Sequence, residues 1–381
     1  MARYRGLTWD HPRGRLALER AAAGAITATG EPLIEWDVQS LEGFESAPIA
    51  ATAARYDVIV LDHPHLGEAL AQDSLQPLDE LFDPHWLAGL DEASVGPSIE
   101  SYRMANRLWA LPLDAATQVA VRAPERVTRS PQSWQDVDRL ADEVPVALSL
   151  AGPHAFLSFA SLCAAMGAPG SVDPGSGFVH RSTGIAALEL LRGIAERMPK
   201  GTTAQNPIGL LERMRTERDI AYIPLIYGYV TYATGQDPLV FDDAPAGPDG
   251  HRGSTIGGTG FALSARREMG DDLLTHLRGL LEPDAQRSFI PQHAGQPSRR
   301  DAWTDPTVNA AAGNFYRRTL ATIESAWVRP RVDGFIAFQS AASALVRAAI
   351  LGDADPDHTL SHLDVEFDRL GASSPAERTI A

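Results

Sequence analysis

The sequence contains one cysteine, Cys163, and one lysine, Lys200. A single thiol cannot form an internal disulfide, a thiolate metal cluster or a Cys-x-x-Cys redox pair. The longest apolar stretch, residues 221–233, is interrupted by Pro224 and is too short to span a bilayer as a helix. These absences exclude an internal disulfide and Cys-x-x-Cys redox chemistry, and they predict that no helix inserts into a membrane.

Positive charge is also scarce, because 33 basic residues stand against 49 acidic ones, for a formal net charge of −16. Such a field repels phosphate backbones and anionic lipid surfaces. We therefore expect no nucleic-acid partner. With 381 residues, 44% of them hydrophobic, the chain is globular and long enough for two domains or lobes.

The first residues show no targeting signal. Tyr4–Trp9 is strand-like from the start, and neither the apolar segment nor the small-residue cleavage site of a secretory signal is present. The sequence as written predicts a cytoplasmic protein. The alternative is a periplasmic protein from which the signal has been removed.

Strand-like and helix-like segments alternate along the first part of the chain. Tyr56–Asp62 reads YDVIVLD, a β-branched run typical of a strand covered on both faces. The segments at 108–121 and 257–264 are extended and have no helical periodicity. Most of the chain from 271 to 370 has the apolar periodicity of helices. The pattern predicts an α/β fold of two lobes that exchange the chain more than once, with ligands at the carboxyl ends of strands.

Five segments, in order along the chain, resemble one family: Tyr56–Phe82, Asn106–Pro112, Ser130–Trp134, Gly257–Ser264 and Ala326–Phe338. They are similar to the extracellular solute-binding proteins of ABC importers, family 1, the maltose-binding-protein type. The second segment, NRLWALP, resembles the family's N-G-K-x-Y-A-L-P with its Gly-Lys contracted to Arg107. The fourth, GGTGFALS, resembles its G-G-x-x-x-A-I-S return strand.

The resemblance implies a two-lobed periplasmic-binding-protein-like II fold with an interlobe cleft, extended crossover segments and a helical C-terminal region. By analogy, residues 1–111 and 260–305 form the first lobe, and residues 112–259 and 306–381 form the second. It further implies capture of a small molecule by hinge closure, without a cofactor, by a monomer that serves an ABC permease if it is exported. Function still has to be argued from the site, because one fold supports many functions.

The most unusual side chains follow two strand-like segments, in two loops that contain Asp10, His11 and Arg13, and Asp62, His63 and His65. Recognition of an anionic solute is the leading interpretation, because Arg13 offers a two-pronged donor and imidazoles add N–H donors. A metal site of three imidazoles and a carboxylate, acid–base catalysis, and ordinary turn formation remain open. We expect the second loop to be exposed.

Further candidate ligand residues come from the crossover segments and the second lobe: Asp114, Gln118, His154, Tyr227, Tyr229, Gly258 and Thr259. The resemblance implies polar contacts near Asp114 and Gln118, and a stacking aromatic ring at Tyr227 or Tyr229. Hydrogen bonding at the hinge, a solvated loop histidine and packed aromatic rings are the alternatives. Gly258 and Thr259 also suit the close backbone approach of the return strand.

Common catalytic motifs are missing from the sequence, which lacks GxxxxGK[ST], HExxH, GxSxG and a GxGxxG that opens a helix. We therefore expect a binding protein for a small polar, anionic organic molecule, with no catalytic residue and no metal. The alternative is a cytoplasmic enzyme or sensor that uses the same histidine and aspartate cluster.

Overall fold

The structure, a computed structural model, describes residues 2–373 of the chain. The strands in this range are β1 (Tyr4–Trp9), β2 (Ile34–Gln39), β3 (Val58–Leu61), β4 (Arg103–Met104), β5 (Arg107–Leu108), β6 (Leu111–Arg122), β7 (Tyr222–Tyr227), β8 (Val240–Asp242) and β9 (Ile256–Leu263).

The helices are α1 (Pro12–Ala23), α2 (Leu41–Ser46), α3 (Ile49–Ala53), α4 (Leu66–Ala71), α5 (Pro84–Ala93), α6 (Trp134–Glu143), α7 (His154–Ala165), α8 (Arg181–Ala195), α9 (Pro207–Thr216), α10 (Asp271–Gly279), α11 (Ile290–Gln292), α12 (Arg300–Thr304), α13 (Pro306–Ala311), α14 (Phe315–Glu324), α15 (Phe335–Ile350) and α16 (Pro356–Ser373). Short 3₁₀ turns occur at His63–His65, Leu78–Glu80, Glu100–Tyr102 and Val230–Tyr232, and a π-helical turn at Ala285–Phe289.

The described chain divides into two compact units, each made of several separate stretches of the sequence. Unit 1 contains the chain up to Ala116, Tyr229–Thr231 and Ile256–Arg317. Unit 2 contains Thr117–Gly228, Tyr232–Thr255 and the described chain from Arg318.

These units change the assignment of several candidate residues. The sequence predicts that the chain passes between the lobes after residues 111, 259 and 305. In the structure, β6 belongs to unit 1 as far as Ala116, and the chain returns to unit 1 at Ile256, where β9 begins. Four residues expected in the second lobe therefore belong to unit 1: Asp114, Tyr229, Gly258 and Thr259.

Unit 1 contains strands in the order β2-β1-β3-β9-β6. β1 runs parallel to β2 and β3, whereas β9 runs antiparallel to β3. All four residues of β3 are buried, as its unbroken apolar run predicts. Because β1 and β3 are parallel neighbours, the loops that follow Trp9 and Leu61 leave the same edge of the sheet.

Both loops turn directly into helical structure, and their polar residues cap it. His11 is the N-cap of α1, where its Nδ1 accepts a hydrogen bond from the Arg13 N–H at 3.1 Å. Pro12 takes the first helical position, where no N–H donor is needed. Asp62 caps the 3₁₀ turn at His63–His65, where its side chain accepts a hydrogen bond from the His63 N–H at 2.9 Å. These caps fix where the two histidine-containing loops direct their side chains.

The close backbone approach expected at the return strand occurs at Gly258. This residue has a φ of +102°, and a Cβ atom there would lie 2.4 Å from the carbonyl oxygen of Asp114. Both the left-handed backbone and the contact with neighbouring main chain require glycine. Gly258 thus lets β9 approach the part of β6 that carries Asp114.

Unit 2 is built around α7, in which every residue except Ala164 is buried. Phe156 of this helix packs against Phe178 at 5.0 Å between ring centroids, and Phe178 packs against Phe367 of α16 at 5.3 Å. The capping box of Ser133 and Asp136 opens α6, and Ser133 lies within the segment Ser130–Trp134 that resembles the family. The helical C-terminal region is confirmed by α15 and α16, and α15 packs on α7. No helix in the described residues is long and apolar enough to cross a membrane.

Candidate functional site

An aromatic cluster of Trp9, His11, Phe44 and Tyr229 lies at the carboxyl end of β1. Trp9 stacks on His11 with ring centroids 5.1 Å apart and planes 7° apart. Tyr229 meets His11 edge-on at 5.1 Å, and Phe44 packs against Trp9 at 5.9 Å. Trp9 and Tyr229 are buried, whereas His11 and Phe44 are half-buried. His11 and Phe44 are therefore the residues of the cluster that keep part of their surface exposed.

Arg13 and Asp114 form a buried ion pair beside this cluster. Arg13 Nε donates to Asp114 Oδ2 at 2.8 Å, and a terminal guanidinium nitrogen donates to Oδ1. The two side chains are 5% and 6% exposed. The guanidinium carbon lies 5.8 Å from the centroid of the Trp9 ring and 5.2 Å from that of Tyr229. Arg13 is thus engaged with Asp114 within unit 1, and its direct contact with a solute stays a prediction.

The charge state of the cluster follows from these contacts. Burial, and next the positive charge of Arg13, lower the pKa of His11 to about 4 against an opposing effect of Asp10. Burial disfavours the charge of Arg13, but the attraction of Asp114 outweighs it and raises the pKa of the guanidinium. His11 is therefore neutral at pH 7, and Nε2 carries its proton because Nδ1 accepts the Arg13 N–H.

The loop after β3 is buried, so the expectation that it is exposed is wrong. His63 and His65 are 0% and 1% exposed. The ring of His63 meets Tyr102 edge-on at 6.4 Å, and His65 Nε2 lies 3.2 Å from the carbonyl oxygen of Phe44. The physical reason is the 3₁₀ turn around Pro64, which continues directly into α4 and directs both imidazoles inward. His65 thereby contacts the backbone of the aromatic cluster.

The histidines of the two loops have separate neighbours. His11 stacks on Trp9, His63 lies against Tyr102, and His65 reaches Phe44. Across residues 2–373, no group of three or more His, Cys, Asp or Glu side chains is arranged to hold a metal ion.

Four other expected contact residues of unit 1 lie at or near these loops and strands. Asp10 is exposed and pairs with Arg15 at 3.1 Å, while Asp62 lies with an oxygen 3.0 Å from His63 Nδ1. Gly258 is half-buried and Thr259 is buried in β9. Their contacts with a solute stay predictions.

Unit 2 contains a buried hydrogen-bond network centred on Gln118. The carboxamide oxygen of Gln118 accepts from Ser161 Oγ at 2.7 Å and from Thr255 Oγ1 at 3.1 Å. Its amide nitrogen donates to Ser158 Oγ at 3.3 Å. The network ties β6, α7 and the segment before β9 together, and Gln118 is 0% exposed. Gln118 therefore links these three segments of unit 2, and its direct contact with a solute remains a prediction.

Tyr227 and His154 adjoin this network. The Tyr227 hydroxyl lies 3.3 Å from Thr255 Oγ1, and its ring meets His154 edge-on at 6.0 Å. His154 is buried as the first residue of α7, so it does not lie in an open loop as the sequence suggested. Tyr227 is half-buried at the end of β7. It is the member of this pair that is open to solvent.

Sequence reasoning missed Phe44, Ser158, Ser161 and Thr255. The two serines could have been predicted from the sequence as a polar pair, since they are three residues apart in α7 and so share one helix face. Phe44 carried no comparable signal, because it lies in α2, a single short helix whose contacts depend on the tertiary fold.

Comparison with known proteins gives matches among solved structures, whereas no protein-family model and no curated protein matches the chain. An ABC transporter solute-binding protein from Agrobacterium radiobacter K84 in complex with ribitol is 18% identical, with a TM-score of 0.81 over 96% of this chain and 98% of that chain. A maltose-bound protein of T. maritima is 16% identical, with a TM-score of 0.79 over 96% and 99%. UgpB from Mycobacterium tuberculosis in complex with glycerophosphocholine is 16% identical, with a TM-score of 0.77 over 98% and 99%.

These likenesses concern the fold, since all three identities are below 20%. The chain has the α/β fold of the solute-binding proteins of ABC transporters, of the maltose-binding-protein type. The fold class and the resemblance expected from sequence are confirmed at this level. What the fold is used for depends on the site.

The buried ion pair predicts a large effect of removing one partner. Asp114→Asn leaves the Arg13 guanidinium buried without its carboxylate, so the free energy of unfolding should fall by about 3–5 kcal/mol in urea denaturation. Glu19→Gln is the matched control, because it breaks the Arg15–Glu19 pair, whose side chains are both 37% exposed, and should cost at most about 0.5 kcal/mol. Similar losses in the two variants would contradict this description of the pair.

The lowered pKa of His11 predicts a pH dependence of stability. In the unfolded chain His11 takes up a proton near its ordinary pKa of about 6.5, whereas in the folded protein it does so only at about 4. The unfolded state therefore binds more protons between these values, and stability should fall as the pH falls through this window. His11→Gln should reduce that fall, and His85→Gln, at an exposed histidine of unit 1, should not. A His11→Gln variant with the full wild-type pH dependence would show that His11 is not the source.

Proposed function

We propose that this protein is a solute-binding protein for a small, neutral, polyhydroxylated molecule of the sugar or polyol class. The observation that carries the proposal is the engagement of Arg13 with Asp114. A cation open to the solute would favour an anion, and the guanidinium that suggested one is already paired inside unit 1. This revises the ligand class expected from sequence.

The side chains of the aromatic cluster support the same ligand class. His11 and Phe44 offer half-buried ring faces, against which the C–H surface of a polyol or sugar packs. His11 Nε2–H is a neutral donor to a hydroxyl oxygen. In unit 2, the half-buried Tyr227 offers both a ring and a hydroxyl. Neutral rings and single donors, rather than charges, suit an uncharged solute.

Binding would be governed by preorganisation of these groups. The Arg13–Asp114 pair fixes the beginning of α1 against β6, and its cation lies near the rings of Trp9 and Tyr229. His65 supports Phe44 from its backbone side. A surface held in place before the solute arrives loses little conformational entropy on binding. In this proposal a monomer delivers the solute to an ABC permease if it is exported.

The ribitol-bound and maltose-bound proteins support the proposal by analogy, since their ligands are a polyol and a sugar. The glycerophosphocholine-bound protein has the same fold, so the fold by itself does not select the ligand class. The choice for this chain therefore depends on the Arg13–Asp114 pair.

A thermal-shift panel tests the ligand class. The panel contains ribitol, mannitol, maltose and maltotriose on one side, and citrate, succinate and glycerol 3-phosphate on the other. We expect a neutral member to increase the free energy of unfolding by about 2.7 kcal/mol at a hundredfold excess over its dissociation constant. The melting temperature should rise accordingly. Stabilisation by the anions and by no neutral compound would contradict the proposed ligand class.

Variants then test the surface. His11→Ala should weaken binding of the stabilising compound by about tenfold, the loss of roughly 1.4 kcal/mol of ring and donor contacts. His85→Ala is the matched control, at an exposed histidine of the same unit outside the aromatic cluster. Equal affinity of the His11→Ala and His85→Ala variants, measured by calorimetry, would remove His11 from the binding surface.

A further inference from the structure

The C-terminal helix α16 has one buried and one exposed face. Leu360, Leu363 and Phe367 are all at most 1% exposed, and their spacing of three and four residues makes them one stripe. Helix α16 packs through contacts with α8 and α15. The rotation of the helix about its axis is therefore fixed by its apolar residues.

Two histidines occupy the exposed face. His358 and His362 are four residues apart, so their side chains are neighbours on the helix surface. Both residues are exposed, and their ring centroids lie 4.2 Å apart with planes at 51°. Nothing in the aromatic cluster or the polar network of unit 2 uses this pair.

The first turn that carries the pair is held in place. Asp355 Oδ1 accepts the backbone N–H of His358 at 3.0 Å, and the carbonyl oxygen of Asp355 accepts the N–H of Thr359 at 2.9 Å. On the adjoining part of the surface, Arg181 Nε donates to Asp357 Oδ1 at 2.7 Å, and Ser361 Oγ accepts from Arg181 at 3.1 Å. The backbone below the two imidazoles is thus ordered before any ligand arrives.

We propose that His358 and His362 bind a divalent transition-metal ion together, through one ring nitrogen of each. Two unprotonated imidazoles on successive helical turns can act as a bidentate chelate, and imidazole suits Cu²⁺, Ni²⁺ and Zn²⁺. Residues 2–373 contain no group of three or more His, Cys, Asp or Glu side chains arranged for a metal, so water would complete the coordination of an ion bound by the pair. The negative formal charge of the chain, −16, favours approach of the cation. Affinity should be higher for Cu²⁺ than for Ni²⁺ or Zn²⁺.

Calorimetric titration of the full chain with NiCl₂, and then with CuCl₂, tests the site. We expect one Ni²⁺ bound per chain, with tighter binding of Cu²⁺. His358→Gln and His362→Gln should each weaken Ni²⁺ binding by at least about tenfold, because a single imidazole loses the chelate. His85→Gln, at another exposed histidine, should bind Ni²⁺ as the wild type does. The variant side chains are on the exposed face, and circular dichroism shows whether α16 remains folded in each variant.

The same titrations can overturn the proposal. Wild-type protein that binds no Ni²⁺ at millimolar concentration has no such site. Wild-type affinity in His358→Gln or in His362→Gln places the ion elsewhere, as does loss of binding in His85→Gln. Thermal unfolding adds an independent readout, because an ion bound only to the folded chain raises the melting temperature, and this increase should disappear in both α16 variants and on addition of EDTA.

Discussion

The candidate site of unit 1 depends on the buried ion pair between Arg13 and Asp114. Two charges that are 5% and 6% exposed are tolerable because the guanidinium and the carboxylate meet in two parallel hydrogen bonds. The pair joins the first turn of α1 to β6 and leaves no net charge. The same guanidinium contributes to the low pKa of His11, so the neighbouring imidazole is neutral as well. The ion pair thus fixes α1 beside the aromatic cluster and adds to the effect of burial that keeps His11 neutral.

In unit 2, a network of neutral hydrogen bonds, not an ion pair, orders the candidate residues. Gln118 is satisfied by hydroxyl groups of α7 and of Thr255, and Tyr227 continues this network through its own hydroxyl. A buried polar network of this kind is stable only when its members have partners, which makes it selective for one arrangement of the chain. The segments that carry Gln118 and Thr255 adjoin the positions where the chain passes between the units. The residues expected to bind a solute are therefore also the residues that order these segments.

Local sequence patterns predicted more of the fold than of the site. The apolar run of β3 and the helical C-terminal region follow from periodicity, which depends on neighbours in the chain. The two loops at one sheet edge could be expected because parallel strands end together. The pairing of Arg13 with a residue 101 positions away could not be expected, nor could the burial of His63 and His65, because both depend on tertiary contacts. An arginine and several histidines in sequence therefore suggested an open donor surface, whereas in the fold Arg13 is paired with Asp114 and His63 and His65 are buried.

The central claim is that the solute is recognised without an open charge, and the ionic-strength dependence of its affinity tests this most directly. Salt screens attraction between charges but has little effect on ring packing and neutral hydrogen bonds. For the compound that stabilises the protein most, the dissociation constant should be nearly the same at about 0.01 M and about 1 M salt, where the Debye lengths are roughly 30 Å and 3 Å. A dissociation constant that rises steeply with salt would show that an unpaired charge of the protein holds the solute, which contradicts the account.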